Sequence, residues 1–251
     1  MQTGLKTPEQ VEAMREGGKI LARVLAELRD HTQPGMNELD IDRWVNAKVR
    51  SYGATPTYLE PSVNFPGSIC ISVNEELVHS VPKDRVLEVG DKVGYDLTIT
   101  YKGMCTDSAF SMIVGEEPKG AKKHLLFVTQ SSLYAGIDVL KAGVKTGDIS
   151  AAVESVLSAG KLGIIRDYVG HGIGASMHMP PDIPNYGQAS TGYILEAGDT
   201  ICIEPMATLG KEKTSVENDG WTVVMHDGAI CAHFEHTVLI TDTGYEILTS
   251  L

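Results

Sequence analysis

Little sulfur, little positive charge and no long apolar run characterise this chain, and each shortage closes off a class of protein. Its four cysteines, Cys70, Cys105, Cys202 and Cys231, stand far apart with no Cys-x-x-Cys pair. Such spacing suggests neither a disulfide framework nor a zinc ribbon, and each cysteine reads as a small buried apolar residue. No stretch approaches the roughly 18 apolar residues of a membrane span. The segment from Met1 to Thr7 has no basic region, apolar core or cleavage site of an export signal, so a cytoplasmic protein is expected. Against 33 Asp and Glu there are only 21 Lys and Arg, a net charge of −12. That is the wrong sign for gripping phosphate backbones or anionic lipid, and neither nucleic acid nor membrane is expected as a partner.

What is present is enough chain, 251 residues, to bury a core without staples. Thr7-Pro8-Glu9-Gln10 is a capping-box pattern with proline at the first helical position, and Val11, Met14, Leu21, Val24 and Leu28 follow at helical spacing. The pattern predicts an amphipathic helix to about residue 29. After Gln33-Pro34-Gly35, Asn37 can cap a second helix with Ile41, Trp44, Val45 and Val49 on its apolar face. Residues 52–70 read as loop, leading into a strand through Ile69 to Val73.

The same plan returns from residue 119. A helix carrying Leu126, Leu133, Ile137 and Leu140 precedes Ala142-Gly143 and a shorter helix carrying Ile149, Val153 and Val156. Placing Gly35 over Gly143 fixes an offset of 108 residues, and the same offset lays Leu87-Glu88-Val89-Gly90-Asp91 over Leu195-Glu196-Ala197-Gly198-Asp199. A two-helix-plus-sheet unit used twice is the simplest account, with halves of about 6–115 and 116–251 in one domain.

Carried further, the offset sets Asp96 on Glu204, each at the end of an apolar strand pattern. A second register, 128 residues after an insertion, sets Asp107 on Glu235, each at the start of a strand run. Thr100-Tyr101-Lys102-Gly103 is a turn signal that lets Asp96 and Asp107 face one another across two strands. Taken singly, each of these carboxylates could be a turn, edge or strand-end residue. Taken together about a pseudo-twofold axis they converge, and four buried carboxylates repel one another unless cations neutralise them.

The stretch Gly170-His171-Gly172-Ile173-Gly174, with His178 seven residues on, adds an imidazole whose neighbours lack a Cβ and so admit close approach. Four oxygen donors and one nitrogen suit two divalent ions about 3.5–4 Å apart, with Mn(II), Fe(II), Co(II) or Zn(II) favoured over Cu(I). The chemistry of such a pair is hydrolysis. His79, alone on an apolar stretch, reads from its surroundings as structural.

Residues 168–186, with Asn74-Glu75, Ile203-Glu204-Pro205-Met206, Gly220-Trp221-Thr222 and Phe234-Glu235-His236-Thr237, resemble the motifs of the type I methionine aminopeptidases in the right order, from Lys6 to Gly244. The resemblance implies a pita-bread α+β fold, two pseudo-twofold halves each with two helices packed on an antiparallel sheet. It implies that Asp96, Asp107, His171, Glu204 and Glu235 bind two metal ions and that Glu204 also shuttles a proton. His79 would contact the scissile peptide, His178 would stabilise the oxyanion, and Phe65, Cys70, Met177 and Trp221 would line a methionine pocket. The implied substrate is the N-terminus of a nascent polypeptide, met near the ribosome by a monomeric enzyme.

The chain departs from that family at several places. Ala175 and Met179 replace the usual Arg and acid, Val78-His79-Ser80 replaces Cys-His-Gly, and Leu59 and Ser62 stand where a cysteine and an aromatic are common. Pocket shape and substrate preference are the properties these changes touch. Two other readings are a prolidase of the same fold, which usually carries an extra N-terminal domain, and a non-enzymatic binding module, in which lost ligands would be expected.

Overall fold

The computed structural model describes residues 6–251; the first five, part of the segment read for an export signal, lie outside the described residues. Helix α1 (Pro8–His31) begins as its capping box demands. The Gln10 amide donates to Thr7 Oγ1 at 3.3 Å and the Thr7 amide to Gln10 Oε1 at 2.9 Å. It runs past the expected residue 29 because Thr32 closes it, its amide and hydroxyl both donating to the Leu28 carbonyl. Asn37 caps α2 (Glu38–Ser51) by accepting from the Leu39 amide at 2.9 Å. Helices α3 (Gly120–Asp138) and α4 (Thr146–Ala159) repeat the pair in the second half. No helix of the described residues is long and apolar enough to cross a membrane.

The helices cover a nine-stranded antiparallel sheet. Its central strands lie in the order Lys92–Tyr101, Met104–Ile113, Glu235–Ile240, Thr200–Ile203, Gly170–Gly172, so each half contributes strands that meet at Glu235↔Ala109. Leu21, Val24 and Leu28 of α1, Ile41 and Val45 of α2, Leu133 and Ile137 of α3, and Ile149 and Val153 of α4 join sheet residues in one core. One face of the sheet is thereby spent on helices, and the other is left for the site.

Local hydrogen bonding recurs at the 108-residue spacing. The Gly35 amide donates to Leu87 O at 2.8 Å, and the Gly143 amide to Leu195 O at 2.8 Å; isolated bridges join Asn37 to Val86 and Lys145 to Ile194. Gly35 and Gly143 both have φ +89°, a left-handed turn that favours glycine before each second helix.

Strand ends differ from the sequence reading. Asp96 and Asp107 sit inside ten-residue strands rather than at a strand's end and start, because the hairpin continues through polar Thr98 and Thr100 to a tight turn at Lys102 and Gly103. Their register is also shifted: Asp96 pairs with Ala109 and Asp107 with Thr98, so the carboxylates are diagonal neighbours on one face. Within the expected loop 52–70, Thr55–Pro56 adds a short edge strand and Thr57–Leu59 a single 3-10 turn.

Close approach, not backbone conformation, accounts for Gly18 of α1, where an added Cβ would lie 2.3 Å from the Leu248 carbonyl oxygen. We predict that Gly18→Ala lowers unfolding free energy by about 1–3 kcal/mol through overpacking. Urea titration checks this against Lys19→Ala in the same helix; equal stability of the two variants would refute the contact.

Candidate metal centre

The hairpin brings Asp96 and Asp107 to the uncovered face of the sheet, and the second-half strands bring Glu204, Glu235 and His171 beside them. Three of these side chains and the backbone of a fourth residue are held by neighbours. Tyr58 OH donates to Asp96 Oδ1 at 2.9 Å, and Thr98 Oγ1 to Asp107 Oδ2 at 2.7 Å. Asn185 Nδ2 donates to the Glu204 carbonyl at 3.0 Å. His171 Nδ1 lies 3.0 Å from the Gly172 carbonyl, which can only accept, so Nδ1 carries the proton and Nε2 presents its lone pair. The glycines around His171 are required by crowding: a Cβ at 170 would meet Cys202 O at 2.4 Å, and one at 172 would meet Pro180 O at 2.1 Å.

One ligand atom from each of Asp96, Asp107 and Glu235 falls within 4.8 Å of the others, and so does one from each of His171, Cys202 and Glu235. Glu235 thus belongs to two overlapping donor triads. Glu204 joins the second side, with Oε1 3.5 Å from His171 Nε2. Asp107 Oδ1 and Glu235 Oε1 are buried with no hydrogen-bond partner among the described residues. Protein atoms alone therefore leave this cluster unsatisfied.

Its electrostatics agree. Burial first, then the Asp107 charge, holds Asp96 well above the usual carboxylate range. Burial followed by the charges of Asp107, Glu204 and Asp96 does the same to Glu235, and burial with Asp96 and Asp107 to Glu204. Burial and His178 pull His171 down to about 3, so its imidazole is neutral. Divalent cations would remove the repulsion and fill the orphaned oxygens, and oxygen donors with one imidazole suit hard-to-borderline ions. The residues present fit a metal.

From this cluster opens a cleft of about 570 Å³. His79 and His178 line it, the latter with its ring edge-on to His171 at 4.5 Å between centroids. His79 is half-buried, has φ +54°, and packs edge-on to Tyr168 at 5.7 Å. Burial, then His178, lowers it to about 4. Phe65, Cys70, Met177 and Trp221 come together at the apolar end of the cleft with Tyr58. Phe65 stands edge-on to Trp221 at 5.4 Å and tilted against Tyr58 at 5.3 Å. Of the family departures, Ser62, Val78 and Ala175 line the cleft, whereas Leu59, 37% exposed, Ser80 and Met179 do not.

Sequence reasoning missed Tyr58, Thr98, Cys202 and His233. Thr98, Cys202 and His233 each lie two residues from a carboxylate in the chain, and strand periodicity could have found Thr98 on Asp96's face. Cys202, read as apolar, is indeed fully buried, but its thiol contacts Thr237 Oγ1 at 3.5 Å and belongs to the second donor triad. Tyr58 reaches Asp96 from a loop, and nothing in its local sequence announces that.

Residues 12–242 match the sequence profile of metallopeptidase family M24. The chain is 41% identical to methionine aminopeptidase 1 of Bacillus subtilis (strain 168), over 97% of this chain and 98% of that one. The crystal structure of methionine aminopeptidase from Thermotoga maritima superposes with a TM-score of 0.94 at 40% identity, covering 98% of this chain and 99% of that one. Prolidase from Pyrococcus furiosus shares the fold at 21% identity and a TM-score of 0.78, but this chain spans 65% of its length.

Because burial and neighbouring charge shift these carboxyls upward, the metal-free site holds its protons to a higher pH than free carboxyls do, and an entering cation must displace them. Cation affinity should therefore rise with pH. Calorimetric titration with Mn(II) in buffers of different ionisation enthalpy should read a proton release that shrinks as the pH is raised. Mn(II) affinity that does not change with pH over the range in which the protein stays folded would contradict the electrostatics.

Proposed function

The chain belongs to metallopeptidase family M24 and has the pita-bread fold and metal-dependent aminopeptidase activity of its methionine aminopeptidases, and from that premise we propose how its residues carry out the reaction. The observation that carries the proposal is Glu235, common to both donor triads at the closed end of a cleft whose other end is apolar. Asp96, Asp107 and Glu235 would hold one divalent ion, and His171, Glu204 and Glu235 a second, with cobalt, manganese, iron or zinc as candidates. Bound there, such ions would supply Lewis acidity, lowering the pKa of water and polarising the scissile carbonyl.

The chain's own groups do the rest. The side chain of an N-terminal methionine enters among Phe65, Cys70, Met177 and Trp221, where thioether and rings pack without an unpaired polar atom. This anchors the first peptide bond over the carboxylates. His79, neutral because it is buried, offers one donor and one acceptor to the peptide; its lowered value keeps it uncharged at neutral pH. His178, exposed at the cleft wall, donates to the carbonyl oxygen as negative charge develops there. Glu204 takes a proton from the attacking water and returns it to the departing amine.

In this reading residues 1–251 are one catalytic domain made of a repeat at about 6–115 and 116–251. It works as a monomer in the cytoplasm on nascent chains as they leave the ribosome, without contacting nucleic acid or membrane. The recurrence of the turn hydrogen bonds at 108 residues supports the repeat, and the net charge of −12 supports the absence of nucleic acid contacts.

Metal-stripped protein given Co(II), Mn(II) or Fe(II) should release methionine from Met-Ala-Ser and should not release alanine from Ala-Ala. Preference for Met-Pro would move it toward prolidase chemistry, and no turnover with any ion would leave a binding module. Asp107→Asn and Glu204→Gln should each lower kcat by about 10²-fold or more while circular dichroism stays native; full activity in either variant would contradict the assignment.

A further inference from the structure

His233 has no part in the scheme above, yet it is a buried polar residue. Its side chain is 4% exposed, and Nε2 is enclosed with no hydrogen-bond partner among the described residues. A buried nitrogen of that kind calls for a physical reason. Two carboxylates face it: Glu204 Oε2 at 3.6 Å and Glu235 Oε2 at 3.9 Å. The backbone holds it rigidly, for its amide donates to Ser111 Oγ at 3.1 Å, the Ser111 hydroxyl donates to its carbonyl at 2.9 Å, and Met206 pairs with it across two strands. Met206 and Glu235 are each two residues from a ligand or from His233 itself. That register is what sets the imidazole between the two glutamates.

The two sides of Glu204 are then unequal. Oε1 faces His171 Nε2, whose lone pair is reserved for a cation because Nδ1 is tied to Gly172. Oε2 faces His233. With acceptors facing it, His233 Nε2 is satisfied only when it carries the proton. We propose that His233 is a positioning residue that donates Nε2–H to Glu204 Oε2, preventing that carboxylate from swinging and so fixing how it presents itself to metal and to the transferred proton. Outer hydrogen bonds of this kind orient ligating carboxylates, and their loss typically costs about 10–100-fold in affinity or activity.

The proposal rests on the metallopeptidase reading, and its test separates the two. His233→Gln keeps an N–H donor of similar reach, and His233→Leu keeps volume without a donor; His233→Met stands in if the leucine variant does not fold. Mn(II) titrated into metal-free protein reads ligand positioning without turnover, and kcat with KM for Met-Ala-Ser reads the proton step. In the leucine or methionine variant, Mn(II) affinity and kcat should each fall about tenfold or more with KM nearly unchanged. The glutamine variant should recover both to within about threefold. Unchanged Mn(II) affinity and kcat in the donorless variant would overturn the proposal. So would a glutamine variant that loses an ion and an imidazole signal in the electron spin-echo spectrum of the Mn(II) protein, since His233 would then be a ligand. If the unsubstituted protein binds Mn(II) but releases no methionine, the aminopeptidase reading fails, and the Mn(II) titrations still decide the role of His233.

Discussion

Negative charge buried at one point is the constraint on which this structure turns. Asp96, Asp107, Glu204 and Glu235 lie close enough together that burial raises all four carboxyls and neighbouring negative charge raises Asp96, Glu204 and Glu235 further, and two of their oxygens have no hydrogen-bond partner among the described residues. A hydrophobic replacement would be easier to bury. Their presence in the face of that cost is intelligible only if cations complete them, and the fold supplies the rigidity to keep them together until cations arrive. Ten-residue strands on one side, short strands paired across the seam on the other, and a helical layer behind both hold the carboxylate backbones in place.

The cage and the cleft obey different symmetries. Turns at Gly35 and Gly143 repeat, with the same hydrogen bonds and the same φ, and carboxylates from both halves share the site. The histidines do not repeat. His171, His178 and His233 all come from the second half, while Tyr58, Phe65, Cys70 and His79 come from the first. A near-symmetric charge trap therefore opens into a directional cleft, apolar at one end and lined by imidazoles near the carboxylates. Direction is what lets such a site read one end of a peptide.

Much of this was legible in the chain. Capping chemistry at Thr7 and Asn37 set two helix starts, because caps are local. The doubled Leu-Glu-x-Gly-Asp blocks fixed the register that brought Asp96 over Glu204, and the glycines around His171 announced a crowded backbone. Less legible were the strand limits: Asp96 and Asp107 looked like terminal residues because polarity interrupts an apolar pattern, whereas the ladder runs straight through them.

Sequence by itself determined which residue types the chain would bring to its centre, because buried carboxylates are rare and their recurrence at one offset has few explanations. Tertiary structure alone decided how they meet. The two-residue slip between Asp96 and Asp107, the reach of Tyr58 to Asp96, and the setting of His233 between Glu204 and Glu235 depend on strand register and loop path. Register is a property of paired strands, summed over contacts far apart in the chain, and no local stretch of residues encodes it.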